Sequence, residues 1–286
     1  MKFRKTIKLY LIDGSTNGRL TCELSNWIGK AYKIPRSLIK ECTDRPELCT
    51  TGVYMLLNKS ADLSIKGQLY IGEAENIVKR LNQHVKQKDF WNEAIVFISK
   101  DENLNKAHIK YLENRLYEEA ISAKRYELMN TQVPTQSSIS ESDKSEMEEF
   151  LENIKTLVNI LGCNAFEAIR QTNITETDDD IFFINAVRGA KGRGKITTEG
   201  FVVFKDSQIA NPVTPTFSST LINFRNLLIS KGIIVEKQNQ LIMNEDYLFS
   251  SPSTAANIVM GRNANGLTEW KMKSGKTLKE YESGEK

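Results

Sequence analysis

Five polar residues have types and spacings that suit chemistry on a phosphate. Tyr54, Tyr70, Arg80 and His84 lie in or next to short apolar runs, and Glu113 follows on a later predicted helix. A carboxylate can hold a divalent cation, an arginine can bind a phosphate through its planar fork, and a tyrosine or histidine can accept a proton from water. A free tyrosine, with a pKa of about 10, is a poor base at neutral pH, so it needs a cation or a hydrogen-bonding partner nearby.

The spacing of these residues favours a shared site. Arg80 and His84 lie four residues apart, which places them one turn apart on the same side of a helix. Glu113 lies within the apolar stripe of its helix, where burying a carboxylate costs several kcal/mol unless a partner or a metal compensates. The alternatives are a salt bridge between Glu113 and a basic neighbour, and a solvated position for Arg80 and His84.

The elements that position these residues follow from apolar periodicity. Runs rich in β-branched and aromatic residues predict strands, and apolar residues three and four apart predict helices. Turn residues between the first two runs and polar residues between the next two predict two hairpins. The predicted strands cover residues 6–12, 19–24, 52–58, 67–72 and 94–99, and the predicted helices run over about 75–85 and 103–124.

These residues resemble the GIY-YIG nuclease domain. Gly52-Val53-Tyr54, Tyr70-Ile71-Gly72, Arg80, Glu113 and Asn130 occur in the order of that family over about residues 50–132, and His84 is similar to a histidine of its restriction-endonuclease members. Fifteen residues separate the two tripeptides, somewhat more than is usual in the family, which predicts a longer hairpin loop.

The resemblance implies a role for each matched position. It implies metal binding by Glu113, one Mg²⁺ or Mn²⁺ ion per site, and phosphate stabilisation by Arg80. Tyr54 and Tyr70 would position or deprotonate the attacking water, with either of them as the base, and Asn130 would support the site. Either His84 or a metal-bound water would be the partner that a tyrosine base needs. DNA is the expected partner. Because one such site holds one nucleophile, cutting both strands would take either a homodimer or two sequential events.

The rest of the chain predicts a linker and a second α+β domain. Residues 131–145 have linker composition, and Ser145-Glu-Met-Glu148 is a capping-box pattern for a helix that ends near residue 162. Strands at 181–187 and 199–204 enclose a glycine-rich loop, and helices are predicted at 220–232 and 251–261. The predicted fold class is α/β (α+β), with a short mixed or antiparallel sheet flanked by helices in the nuclease-like domain. The predicted division is a β extension at 1–48, the nuclease-like domain at 49–132, an acidic linker and helix at 133–162, and a C-terminal DNA-binding or sensing module at 163–286.

Basic and aromatic residues of the second domain predict contact with nucleic acid. The glycine-rich loop is close to the sequence pattern of a phosphate-binding P-loop, but Ile196 occupies the Ser/Thr position. A P-loop must also lead into a helix, and here a strand follows, which excludes that motif. The loop is predicted instead to contact the DNA backbone or to form a solvated hairpin tip. The tail contains Ser251-Pro-Ser253 with a following Ala pair, Gly261-Arg-Asn-Ala-Asn-Gly266, Trp270 and Gly275-Lys-Thr-Leu278. With these residues it resembles an uncharacterised module found behind such nuclease domains, and the RAMA-type module proposed to sense modified DNA. Trp270 is either a base-stacking residue or the core of this module. The predicted nucleic-acid contacts are Lys191, Arg193, Lys195, Arg262, Trp270, Lys271 and Lys273.

Charge and composition agree with a protein that binds a polyanion. Residues 1–130 carry a net charge of +6 (22 basic, 16 acidic), residues 131–180 carry −8 (3 and 11), and residues 181–286 carry +5 (14 and 9). A solvated acidic helix between unremarkable basic segments is the alternative. No apolar run reaches the roughly 18 residues of a membrane span, and the four scattered cysteines suggest a reducing cytoplasm. The sequence favours a metal-dependent DNA endonuclease of restriction or defence. A repair or recombination nuclease, a non-catalytic nucleic-acid-binding protein on the same fold, and a structural scaffold remain alternatives.

Overall fold

The computed structural model describes residues 4–58, 66–167 and 181–284 of the 286-residue chain. These residues form two compact units, 4–167 and 181–284. The loop predicted between the two tripeptides falls mostly on residues 59–65, outside the described part. None of the helices in the described ranges is long and apolar enough to cross a membrane.

The first unit is a mixed seven-stranded sheet between helices. Its strands are β1 (Ile7–Leu11), β2 (Leu20–Leu24), β3 (Gly29–Pro35), β4 (Gly52–Asn58), β5 (Gln68–Ala74), β6 (Glu93–Ser99) and β7 (Glu127–Leu128). Its helices are α1 (Ile77–Gln87), α2 (Lys106–Ala123) and α3 (Glu141–Ile160), with two 3₁₀ helices at Arg36–Asp44 and Pro46–Cys49. The strand order is β1-β2-β3-β6-β4-β5-β7, and only β5 and β7 pair in parallel.

Strand β4 lies at the centre of this unit and is buried on both faces. Its side chains alternate between two cores: Val53 and Met55 pack with α2 and α3, whereas Tyr54 and Leu56 pack with α1 and the first 3₁₀ helix. This alternation follows from the two-residue period of a strand. It places Tyr54 on the α1 face of the sheet.

The predicted strands and both helices of the nuclease-like segment are confirmed, with ends that differ by a few residues. Strand β3 was not predicted, although it pairs with β6 along seven residues. The described residues of the predicted β extension therefore share one sheet with the nuclease-like segment. The predicted start of α3 at Ser145 is wrong: the helix begins at Glu141, because Ser140 Oγ accepts a hydrogen bond from the Asp143 N–H at 3.1 Å.

The second unit is a curled antiparallel sheet with helices. Its strands are β8 (Phe182–Asn185), β9 (Lys191–Thr197), β10 (Gly200–Val203), β11 (Gln208–Ile209), β12 (Ile234–Lys237), β13 (Gln240–Met243) and β14 (Tyr247–Phe249). Its helices are α4 (Ser219–Ser230), α5 (Pro252–Met260), α6 (Gly266–Glu269) and α7 (Leu278–Glu282). The order is β12-β13-β11-β9-β10-β14, with β8 also paired to β9.

Strand β9 corrects the prediction of a glycine-rich loop. Residues 191–197 pair with β8 on one edge and with β10 on the other. A side chain at Gly192 would come within 3.0 Å of the Trp270 and Val259 side chains, and one at Gly194 within 2.4 Å of the Phe201 ring. Glycine at the inward positions therefore makes room for the core, and the residues between them face outward.

Trp270 belongs to that core. It is fully buried, its ring lies 4.4 Å from that of Phe201, and its indole N–H donates to the Pro252 carbonyl at 3.0 Å. A tryptophan with its ring covered and its one donor satisfied has no face left for a base. The prediction that Trp270 stacks on DNA is wrong.

We expect Gly194→Ala to lower the free energy of unfolding of the second unit by about 1–3 kcal/mol. The added methyl group would press on the Phe201 ring and on the Val202 carbonyl oxygen, also 2.4 Å away, and backbone cannot move aside cheaply. Urea unfolding of the full chain measures the change. Arg193→Ala on the outward side of the same strand is the control and should stay within about 0.5 kcal/mol. Equal losses in both variants would contradict the assignment of inward and outward sides.

Candidate active site

The centre of the site is the buried hydroxyl of Tyr54. Its oxygen lies 2.7 Å from Nε2 of His84, and Arg80 Nε–H donates to it at 3.3 Å. Arg80 and His84 both come from α1, which begins where the Asn76 side chain accepts a hydrogen bond from the Lys79 N–H at 2.9 Å. One strand residue and two residues of one helix face therefore meet as their spacing predicts.

Gly72 makes this arrangement possible. In the antiparallel pairing of β4 and β5, Gly72 lies directly opposite Tyr54. A Cβ atom at residue 72 would lie 2.4 Å from the Tyr54 hydroxyl oxygen. The glycine of the second tripeptide is thus required by the position of the tyrosine of the first.

Tyr70 is the more accessible of the two tyrosines. It is half-buried, its ring lies 6.3 Å from that of Tyr54 and 5.3 Å from that of His84, and Lys88 Nζ lies 4.5 Å from its ring centre. An ammonium over an aromatic ring is a favourable contact. Tyr70 therefore forms the rim of the site and Tyr54 its floor.

Asn130 fastens the strand that carries Tyr70. Its side-chain oxygen accepts from the Ile71 N–H at 3.0 Å, and its side-chain nitrogen donates to the Ile71 carbonyl at 2.8 Å. This pair of hydrogen bonds is the one that a neighbouring strand would make. Asn130 therefore holds the second tripeptide in place without reaching into the cluster itself.

Burial keeps His84 neutral. Desolvation, together with the nearby charges of Arg80 and Lys88, lowers the pKa of His84 to about 4. Its Nδ1 atom is buried and has no hydrogen-bond partner among the described residues. Burial also raises the pKa of Tyr54, which therefore holds its proton at neutral pH in the free protein.

Glu113 reaches the site from α2, the helix packed on the other face of the sheet. Its place in the apolar stripe predicts a buried side chain, but the Glu113 side chain is only half-buried. Desolvation and then the negative charge of Glu73 raise the pKa of Glu113 to about 7. Glu73 follows Gly72 directly and is ion-paired with Lys106 at 2.8 Å. Sequence reasoning missed Glu73; the signal was its place next to the second tripeptide.

A divalent cation fits this pair of carboxylates. The negative charge of Glu73 favours the protonated form of Glu113. A cation bound to both carboxylates would offset their repulsion and would therefore be stabilised there. Within the described ranges, no group of three or more His, Cys, Asp or Glu side chains could hold a metal. The donor set fits an ion such as Mg²⁺, which keeps several of its waters and takes one or two carboxylates from the protein.

The predicted contacts of the second unit lie on two parts of its surface. Lys191 and Arg193 are exposed on β9, and Lys195 on the same strand is half-buried. Arg262 is ion-paired with Glu269 at 2.7 Å. Lys271 and Lys273 are exposed, and Lys271 forms an isolated antiparallel bridge with Phe183. The structure therefore places Arg193 and Lys271 on either side of Phe183, a residue that sequence reasoning missed, and Lys191 lies two residues from Arg193 along β9.

The geometry agrees with a family match. The sequence matches the GIY-YIG catalytic domain over residues 50–128. This segment is a GIY-YIG domain. Such domains belong to a nuclease family, which implies DNA as the substrate. Nucleases of this family generally use divalent metal ions. Residues 182–282 match a domain of unknown function, DUF4357, which confirms the uncharacterised C-terminal module. No curated protein and no solved structure matches the chain.

We expect His84 to titrate near pH 4. Because this value lies below the roughly 6.5 of an unfolded chain, the unfolded state takes up more protons between pH 6.5 and 4. His84 should therefore lower the stability of the fold as the pH falls through that window. The chain has only two histidines, so NMR titration of the imidazole signals, with His84→Gln to assign them, measures this value directly. A His84 signal that titrates at 6.5 or above would contradict its buried, neutral state.

Proposed function

We propose that the chain is a metal-dependent DNA endonuclease whose active site is the cluster of Tyr54, Tyr70, Arg80, His84 and Glu113. The observation that carries the proposal is the cluster around the buried Tyr54 hydroxyl, 2.7 Å from Nε2 of His84 and 3.3 Å from Nε of Arg80, together with the half-buried carboxyl of Glu113, which is close enough to interact with Arg80 and Glu73. A group that only stabilised the fold would be expected to have a paired charge.

The residues of the cluster divide the work of hydrolysis. Arg80 is half-exposed, and one of its terminal nitrogens donates to Gln83 at 3.1 Å, so its fork lies at the surface where a phosphate can approach. Tyr70 on the rim orients the attacking water. Tyr54 can accept a proton only if its pKa falls, and the hydrogen bond from Arg80 acts in that direction. His84, neutral and 2.7 Å away, holds the Tyr54 hydroxyl in place.

Glu113, with Glu73 beside it, would hold the ion. A bound Mg²⁺ or Mn²⁺ would polarise the phosphoryl oxygen and neutralise the charge that develops on it. Glu113 must lose its proton to bind the ion. Metal affinity should therefore weaken as the pH falls below about 7, in the direction set by the raised pKa of this carboxyl.

Two wider expectations, a biological setting and a cellular location, accompany the proposal. Restriction of foreign or modified DNA is the proposed setting, and it rests on the likeness of the tail to a sensing module. The proposed location is the cytoplasm, supported by four free cysteines, which suit a reducing compartment.

A homodimer is proposed on the edge strand β1. Leu9 and Tyr10 are 55% and 62% exposed there, and β2 is the one strand of the described ranges that pairs with β1. Two copies of β1 paired antiparallel about Leu9 would place Lys8 opposite Tyr10 and Ile7 opposite Leu11, with no like charges facing.

The test is cleavage of supercoiled plasmid by the full chain with Mg²⁺, with Mn²⁺ and with EDTA. We expect Glu113→Gln to lower the rate at least about 100-fold, because it removes the group that would hold the ion while keeping its size. Glu118→Gln is the matched control: Glu118 lies on the same helix, is 52% exposed on the surface, and should cleave as the parent does. Plasmids with and without modified bases test the restriction setting.

Cleavage that persists in EDTA or in Glu113→Gln would overturn the assigned metal site. The absence of cleavage under every condition, with DNA affinity unchanged in Glu113→Gln, would leave a binding protein that uses this fold without catalysis. A rate loss in Glu118→Gln equal to that in Glu113→Gln would show that the substitutions act through the stability of α2.

A further inference from the structure

The outward side of β9 carries a row of cations. Lys191, Arg193 and Lys195 alternate with the two glycines that face the core, so all three project to the other face of the sheet. Alternate residues of a strand are about 6.7 Å apart, a spacing comparable to that of successive phosphates along a nucleic-acid strand. Lys191 and Arg193 are exposed, and neither makes an ion pair with any residue of the described ranges.

An aromatic ring lies in the middle of this patch. Phe183 on β8 is directly opposite Arg193 on one side and directly opposite Lys271 on the other. Its neighbours along β8, Phe182 and Ile184, are buried in the core, whereas Phe183 is only half-buried. The Phe183 ring therefore stays partly accessible between two cations. It is well suited to stack on a base while the cations hold the phosphates on either side.

A cavity of about 410 Å³ adjoins the ring. Phe183 and Met272 supply apolar walls, and Asn185, Lys271 and Lys273 supply polar groups. This combination of a flat apolar wall with a few polar groups matches a nucleobase, which has an apolar face and hydrogen-bonding edges.

Two carboxylates lie near the patch. Glu269 lines the cavity but is ion-paired with Arg262 at 2.7 Å. Glu280, whose charge interacts with Lys271, accepts hydrogen bonds from the backbone N–H of Thr277 at 2.7 Å and from its hydroxyl at 2.8 Å. The five cations of the patch, Lys191, Arg193, Lys195, Lys271 and Lys273, outnumber these two carboxylates.

We propose that this face of the DUF4357 domain binds an unpaired stretch of DNA strand. Lys191, Arg193 and Lys271 hold successive phosphates, and Phe183 stacks on a base at the mouth of the cavity. The proposal rests on the proposed function in one respect, the choice of DNA as the nucleic acid. It names a ligand and a surface for a domain whose family is described as one of unknown function.

The test is fluorescence anisotropy of the full chain with labelled oligothymidine, in EDTA so that cleavage cannot interfere. We expect Lys191→Gln with Arg193→Gln to weaken binding about ten-fold or more and to reduce the slope of log affinity against log salt by about 1.4, which corresponds to two phosphate contacts on a single strand. The control, Lys205→Gln with Lys231→Gln, removes the same charge from residues of the second unit that lie outside strand β9.

Phe183→Leu tests the stacking contact separately. We expect it to weaken binding of the single strand roughly ten-fold and to leave binding of the matching duplex unchanged, because leucine keeps the apolar volume but loses the flat ring. Unchanged thermal unfolding of each variant confirms that the fold is intact.

Equal losses in the charge variant and its control would overturn the phosphate row. A duplex that binds as tightly as the single strand, with no effect of Phe183→Leu, would overturn the unpaired-strand assignment. These binding measurements do not depend on the nuclease site. Strand binding at this surface without any cleavage would support this proposal and overturn the proposed nuclease activity. Cleavage without strand binding at this surface would support the nuclease activity and overturn this proposal.

Discussion

The site depends on the register between β4 and β5. Tyr54 can bury its hydroxyl beside the sheet only because Gly72, directly opposite, has no side chain. A shift by one residue would set Ile71 or Glu73 in that place and turn every side chain of the strand to the other face. The same pairing places Glu73 just beyond the glycine, where its charge adds to the effect of burial in raising the pKa of Glu113. One strand pair thus fixes both the tyrosine floor and the electrostatics of the carboxylates.

Most of the first unit could be predicted because its signals are local. Apolar runs with β-branched and aromatic residues predicted the central strands, and the four-residue spacing of Arg80 and His84 placed both on one helix face. The charge states could not be predicted in the same way. Neutral His84 and the raised pKa of Glu113 result from burial by elements far away in sequence and from Glu73 on another strand. Such environments exist only once the chain has folded.

The second unit shows how glycine can mislead. The run from Lys191 to Lys195 has the composition of a loop, yet its strict alternation of glycine and cation has the two-residue period of a strand. The two-residue period predicts the structure better than the composition does. Glycine is needed at the inward positions because the Trp270 and Phe201 rings leave no room there for a side chain. Phe182 and Phe183 are chemically identical neighbours, and only the pairing with β9 decides which is core and which is surface. The sequence could not distinguish the two.

The clamp at Ile71 has a consequence for where the catalytic domain ends. The family match stops at residue 128, but Asn130, which fastens the strand of the second tripeptide, lies beyond it. At the other end, β6 relies on β3, which precedes the match, for hydrogen bonds along its full length. A fragment cut at the limits of the match would expose one edge of β6 and free the middle of β5. The contacts that hold the catalytic strands in place therefore extend beyond the matched residues on both sides.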